Sequence, residues 1–334
     1  MKKQLLIIAA LALITCACDK ENQCKTCKEG KPVEVTVQIN GTSMTKATGN
    51  TYANESKVNS LQVLAFDTNG EIEAYRSVDN EMSLTLMATS GEKTVWAVVN
   101  APSLENVTTL DELSSTLTRL EDNALDSFVM TGSVSEELTD GAVLAITVKR
   151  IVARVSVAKI TRAFPDTPTY EGKTLKITGI YMLNVAGAVN YALTGEPSEW
   201  YNKLNHEDAV ADAFLYDALD QTIENNASYE VEHAYYPYPN SVAASVKDLD
   251  DENRGTWSGR KSILCIEVEF DGVSGYYPIE LPVIERNKTY TIDEVVITRS
   301  PTDKPYDPID TGVATVSITV EEWELGLSLG TVTI

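Results

Sequence analysis

The chain has 334 residues, 43% of them hydrophobic, and a formal net charge of −22 at pH 7. Residues 1–46 hold seven lysines against four acids, so the remainder carries −25, which argues against nucleic acid or an anionic membrane as a partner of the body of the protein. The length suggests two domains, and the apolar fraction is enough to give each a core.

The first element is an export signal. Lys2 and Lys3 precede an almost unbroken apolar run over 5–17, which ends in the small residue Ala17 just before Cys18. This is the three-part pattern of a signal peptide over 1–18, and the run is shorter than the roughly 20 apolar residues that span a bilayer. The tetrad Thr15-Cys16-Ala17-Cys18 resembles a lipobox, with Cys18 as the lipid-modified new N-terminus. Cys16 competes, but Thr15 is a poorer residue than Ala17 to precede the cut. A plain secretory signal with incidental cysteines is the alternative.

Residues 19–32 are polar and pattern-free and read as a tether. Cys24 and Cys27 form a C-x-x-C there, with no second pair, no nearby His and no helical pattern behind it. A tether disulfide or free thiols fits this better than a zinc or redox site. Val33, Val35, Val37 and Ile39 then alternate with Glu34, Thr36 and Gln38, the period of a half-buried strand. Turn-forming residues fill 40–50.

Strand patterns recur at 58–66 and 71–75, joined by Asp67-Thr68-Asn69-Gly70 as a hairpin. Another lies at 94–99. Leu110, Leu113, Leu117 and Leu120 give 104–127 a helical or irregular reading. Two alternating runs occupy 142–160, and the Pro- and Gly-bearing stretch 162–172 marks a domain boundary. Beyond it, strands are expected at 175–185, 230–236, 263–270, 276–281, 290–298 and 315–323, with some helical character over 207–225. Many short strands with turns between them predict an all-β chain of β-sandwiches with minor helix.

Little in the sequence points to catalytic or binding chemistry. His206 and His233 are the two histidines, and neither sits in a metal or triad motif. Asp250, Asp251 and Glu252 lack the alternation of a Ca²⁺ loop. Cys265 lies in an apolar strand pattern as a small core residue. Tyr235, Tyr236 and Tyr238 could form a sugar platform, although core-edge packing is the commoner use of such a segment. No enzyme activity and no cofactor are expected.

Several segments together resemble the fimbrillin family, the type V pilus subunits of Bacteroidales-type bacteria. They are LQVLAFDTNGEIEAY (61–75), GEKTVWAVVNAP (91–102), FVMTG (128–132), VKRIVARVSV (148–157), YMLNV (181–185), YYPYPN (235–240), YYPIELPVIERNKTYTIDEVVIT (276–298) and VSITVEEWEL (316–325). The resemblance runs through almost the whole chain and rests on the order of the pieces. It implies two tandem transthyretin-like β-sandwich domains, over 47–162 and 163–334.

It also implies an outer-membrane lipoprotein precursor. In the family a trypsin-like protease removes an N-terminal strand, and a strand from the next subunit fills the groove to build a surface pilus active in adhesion. On this chain the removable strand carries Val33, Val35, Val37 and Ile39 within a propeptide over 19–46. A cut after Lys46 makes Ala47 the first residue; the best-known members are cut after Arg, so Lys46 is a departure. The donor strand, 325–334, carries Leu325, Leu327 and Leu329, then Val332 and Ile334 in the opposite phase, as a bend at Gly330 would produce. A closing strand of the chain's own C-terminal domain is the alternative. The expected partners are other pilus subunits head to tail, the protease and the membrane lipid. A tip or anchor subunit and a surface glycan-binding lipoprotein are the competing readings.

Overall fold

The structure, a computed structural model, describes residues 30–40, 55–203, 215–244, 257–305, 318–322 and 331–333. The first nine strands are β1 (Pro32–Asn40), β2 (Ser60–Phe66), β3 (Ile72–Asp79), β4 (Ser83–Thr89), β5 (Gly91–Val99), β6 (Leu117–Arg119), β7 (Met130–Leu138), β8 (Val143–Thr147) and β9 (Lys149–Arg150). Among the described residues, helix is limited to α1 (Leu110–Ser115), a 3-10 turn (Leu120–Asp122) and Leu215, which is also in 3-10 conformation. The all-β sandwich expectation holds.

Two layers make the first half. One is a five-stranded sheet in the order β3-β2-β5-β7-β9, and the other a three-stranded sheet in the order β4-β1-β8. Apolar residues at alternate positions of β1, β4 and β8 meet Leu61, Val63 and Ala65 of β2 and Val95, Ala97 and Val99 of β5 in one core. The other face of β2 is also covered, because Leu64 and Phe66 belong to a second core that continues into the rest of the chain. The expected β2–β3 hairpin is present. Its turn is closed by Gly70 N–H donating to Asp67 O (2.9 Å), with Gly70 at φ +80°. Asp67 Oδ1 accepts from the N–H groups of Asn69 and Glu71, the local bonding that suits Asp to turns.

The second half comprises β10 (Arg154–Val157), β11 (Ile160–Arg162), β12 (Leu175–Leu183), β13 (Val185–Asn190), β14 (Glu199–Tyr201), β15 (Tyr216–Thr222), β16 (Ser228–Tyr229), β17 (His233–Tyr235), β18 (Ile263–Phe270), β19 (Val273–Glu280), β20 (Lys288–Ile292), β21 (Glu294–Ile297), β22 (Thr319–Glu322) and β23 (Thr331–Thr333). One layer is β15-β12-β18-β19; the facing strands run β17-β10-β20-β22 and β16-β11-β21-β23. Ile177, Ile180, Leu264 and Ile266 of the first layer share a core with Val155, Tyr290, Ile292 and Val295 of the second. Strands β10 and β11 hydrogen-bond with second-half strands. β6 of the first half pairs with β13 of the second.

Two helical expectations change. The four spaced leucines of 104–127 give only a short α1, capped by Thr109 Oγ1, which accepts from Glu112 N–H (3.1 Å). Leu113 and Leu120 are buried while Leu117 is exposed, because the chain turns into strand β6. The helical character read over 207–225 is overturned at 216–222, which is strand β15 paired antiparallel with β12. A ready sheet edge overrides a weak local preference.

Gln62 shows how tightly the polar interior is closed. Its Nε2 donates to Ala101 O and Pro102 O, and its Oε1 accepts from Tyr75 O–H and Leu104 N–H, at 2.8–3.0 Å. Gln62→Leu keeps the volume and orphans all four partners, so it is expected to cost about 1–3 kcal/mol. Urea unfolding measures this, and a midpoint unmoved by the change would show that the partners find water.

Candidate functional site: a strand-filled groove

The sequence reading puts its removable segment on β1, and the structure places that strand in the middle of a sheet. β4 runs antiparallel along residues 32–38, from Pro32↔Thr89 to Gln38↔Ser83. β8 runs parallel along residues 36–40, from Thr36↔Val143 to Asn40↔Thr147. The two ladders are staggered and overlap only at residues 36–38. Isolated bonds extend them: Gly141 N–H donates to Glu34 O, Thr36 N–H to Ala142 O and Val148 N–H to Asn40 O, each at 2.9 Å. Ser90 N–H donates to Lys31 O (2.8 Å), and Gly30 is needed beside it, since a Cβ there would lie 2.6 Å from Ser90 O.

The period-two alternation is realised in full. Val33, Val35, Val37 and Ile39 point into the core and are at most 4% exposed. Each meets an aliphatic wall: Val33 is opposite Ala88, Val35 opposite Leu86, Val37 between Leu84 and Leu144, and Ile39 opposite Ile146. Burying four such side chains contributes roughly 6–12 kcal/mol, comparable with the roughly 5–15 kcal/mol by which a whole domain is stable. Without β1 the first half would keep two separated strands and an open apolar slot one strand wide.

The remaining expected site residues divide simply. Cys18, Lys46, Ala47, Leu325, Leu327, Leu329 and Ile334 lie outside the described residues. Val332 falls in β23, which runs parallel to β21 of the same chain, Thr331 opposite Glu294. The tyrosine segment is an internal one. Tyr235 and Tyr238 are buried, and Tyr236 packs its ring on Phe128 at 4.7 Å, so these residues offer no sugar platform. Cys265 is fully buried, and desolvation pushes its thiol up to about 12, the state of an inert core cysteine. His233 Nδ1 lies 2.7 Å from Asp217 Oδ2, and its Nε2 lies 3.1 Å from Tyr229 Oη. Those contacts tie β15 to β16 and β17. Among the described residues no three His, Cys, Asp or Glu side chains are grouped to hold a metal.

The groove walls are what the sequence reading missed. Leu84, Leu86 and Ala88 alternate through β4 as clearly as the valines of β1, and that pattern was the available signal.

Residues 32–161 match the family described as major fimbrial subunit protein (FimA), so the match begins on β1 and includes both strands that flank it. A fimbrilin from Porphyromonas gingivalis is similar over 90% of this chain and 96% of its own, at 16% identity and a TM-score of 0.58. The tip fimbrial protein Mfa3 of the same organism, truncated at its C-terminus, is similar over 88% and 100%, at 15% identity and a TM-score of 0.55. A structure from Bacteroides eggerthii described as a cell adhesion protein gives 91%, 98%, 16% and 0.64 in the same order. At these identities the structural likeness speaks for the fold. No curated protein matches. The fimbrillin resemblance is borne out over residues 32–161 by the family match, and that family is structural rather than enzymatic.

The burial of β1 has a direct test. Val37→Thr preserves shape and places a hydroxyl against Leu84 and Leu144, which is expected to cost about 1–3 kcal/mol. The loss appears in urea unfolding of the chain with β1 present. Equal stability of the variant would mean the slot is wet.

Proposed function

We propose that this chain is a fimbrial subunit that is exported as a lipoprotein, loses β1 by proteolysis, and polymerises by strand donation. The coarse part, a fimbrial subunit concerned with adhesion at the cell surface, is supported by the family match over 32–161. The observation that carries the finer part is the position of β1. A strand central in its sheet, and separated from β2 by residues 41–59, can be exchanged for another without rethreading the fold.

The steps follow from residue chemistry. Lipid on Cys18 anchors the precursor to the outer membrane. A trypsin-like protease cuts after the basic Lys46, releasing β1 and leaving Ala47 first. Residues 325–334 of another subunit then enter the slot. Ten extended residues reach roughly 33 Å, which spans the nine positions of β1. To donate, the segment must give up the short β21–β23 pairing. The backbone bonds lost with β1 are remade with the incoming strand, as in other cases of strand addition. A contact between the tail of one subunit and the groove of the next does not close on itself, so it propagates a filament. On this reading the chain is a stalk subunit, whereas a tip subunit needs no donor strand and an anchor keeps its β1.

Two experiments test this. Labelled palmitate should be incorporated into the wild type and into Cys16→Ala but not into Cys18→Ala; label retained in the last variant would remove the lipid assignment. Surface-sheared protein should begin at Ala47 and run as a ladder that resists boiling. Lys46→Ala should leave folded precursor without a ladder, and deletion of 325–334 should leave folded monomer without a ladder. Normal pili from either variant, or unfolding of the deletion variant, would overturn strand donation by this segment.

A further inference from the structure

In the filament proposed above, tension enters a subunit through the groove of its first half and leaves through the tail of its second. The two halves are then in series, and their junction carries all of it. Tandem domains by default have modest polar interfaces and move relative to one another.

The junction here is built differently. Its apolar part is a single core that runs from Leu64, Phe66 and Val98 to Ile180 and Leu264 without interruption. A backbone ladder crosses it, with Thr118 of β6 opposite Val189 of β13. Around this lies a polar rim, in which Arg286 and Glu55 reach across between the halves and Arg150 holds the Glu55–Ser56 segment within the first half. Arg150 Nε donates to Glu55 O (2.9 Å) and its Nη2 to Ser56 Oγ (2.7 Å). Arg154 Nη2 donates to Glu232 Oε1 (2.6 Å), and its Nε lies 3.6 Å from Glu55 Oε1. That Glu55 oxygen also accepts from Tyr236 O–H (2.7 Å). Arg286, from the loop before β20, reaches into the first half. Its Nε donates to Arg150 O (3.1 Å), and its Nη2 donates to Thr131 O (3.1 Å) and to Lys149 O.

We infer that the two halves act as one stiff unit, locked by this rim, with Glu55 and Arg286 as its two key groups. Opening the junction as a hinge would expose the shared core and pull the Arg286 guanidinium from three carbonyls at once. Burial drives the Arg286 group down to about 10, and the carbonyls of Arg150, Thr131 and Lys149 are partners of the guanidinium there. Glu55 is 7% exposed and follows Lys46 in the chain. A cut after Lys46 therefore falls upstream of the lock and leaves it intact. The stiffness itself does not require the cut; only its use under tension rests on the strand-donation reading.

Calorimetry of the full chain tests the lock. The wild type should melt in one cooperative transition whose calorimetric and van't Hoff enthalpies agree, as for a single unit. Glu55→Gln combined with Arg286→Met should split it into two transitions about 5–10 °C apart. Two transitions in the wild type, or one in the double variant at an unmoved midpoint, would overturn the inference. If the double variant does not fold, Tyr236→Phe decides, since it removes only the hydroxyl, which bonds Glu55 and lies against Arg154. A shoulder on its transition sustains the lock, and a superimposable curve overturns it. Failure of the chain to polymerise would remove strand donation and leave this measurement standing.

Discussion

One strand both fills the centre of a core and completes the hydrogen bonding of two neighbours, and the rest of the first half is arranged around it. Backbone groups in a dry interior must be paired, and β4 and β8 have β1 as their common partner. The side chains facing the slot, Leu84, Leu86, Ala88, Leu144 and Ile146, are aliphatic throughout. The slot therefore selects an occupant by shape and period: an extended segment with short aliphatic side chains at every second position.

The junction between the halves follows the opposite logic. Its contacts come from elements distant in sequence, such as Glu55, Arg154 and Tyr236, and no single segment can be withdrawn to open it. A guanidinium offers donors in a fixed fork, so one side chain such as Arg286 can hold several carbonyls in one arrangement. On the proposals made above, exchange and stiffness rest on different parts of the molecule: the middle strand of the β4-β1-β8 sheet, and a joint that includes the β6–β13 ladder.

How much of this was legible in the sequence depends on whether the signal is local. The valines of β1 and the β2–β3 hairpin were readable because period two and an Asp-Thr-Asn-Gly turn are local facts. The strand character of β15 was not, because Tyr216–Thr222 has a burial pattern with no fully buried residue and is strand only by virtue of its pairing with β12. Nor was the tyrosine segment decided: alternation cannot say that Tyr238 ends fully buried, bonded to Arg119 O at 2.7 Å. The groove itself is non-local. Its position between β4 and β8 depends on a parallel pairing of segments about a hundred residues apart, which no window of sequence contains.

The staggered ladders also bear on how an occupant of the slot is oriented. β4 is antiparallel to β1 and β8 is parallel to it, so β4 and β8 run in opposite directions. Any strand entering between them is parallel to one and antiparallel to the other, whichever way it points. Backbone bonding alone therefore does not choose polarity. The walls do, because the two ends of the slot differ: the Val33 end faces Ala88, and the Ile39 end faces Ile146. Wall residues of different size ask for occupants of different size in a fixed order along the strand. A one-residue slip would turn every apolar side chain outward, so period fixes register, and the graded walls fix direction.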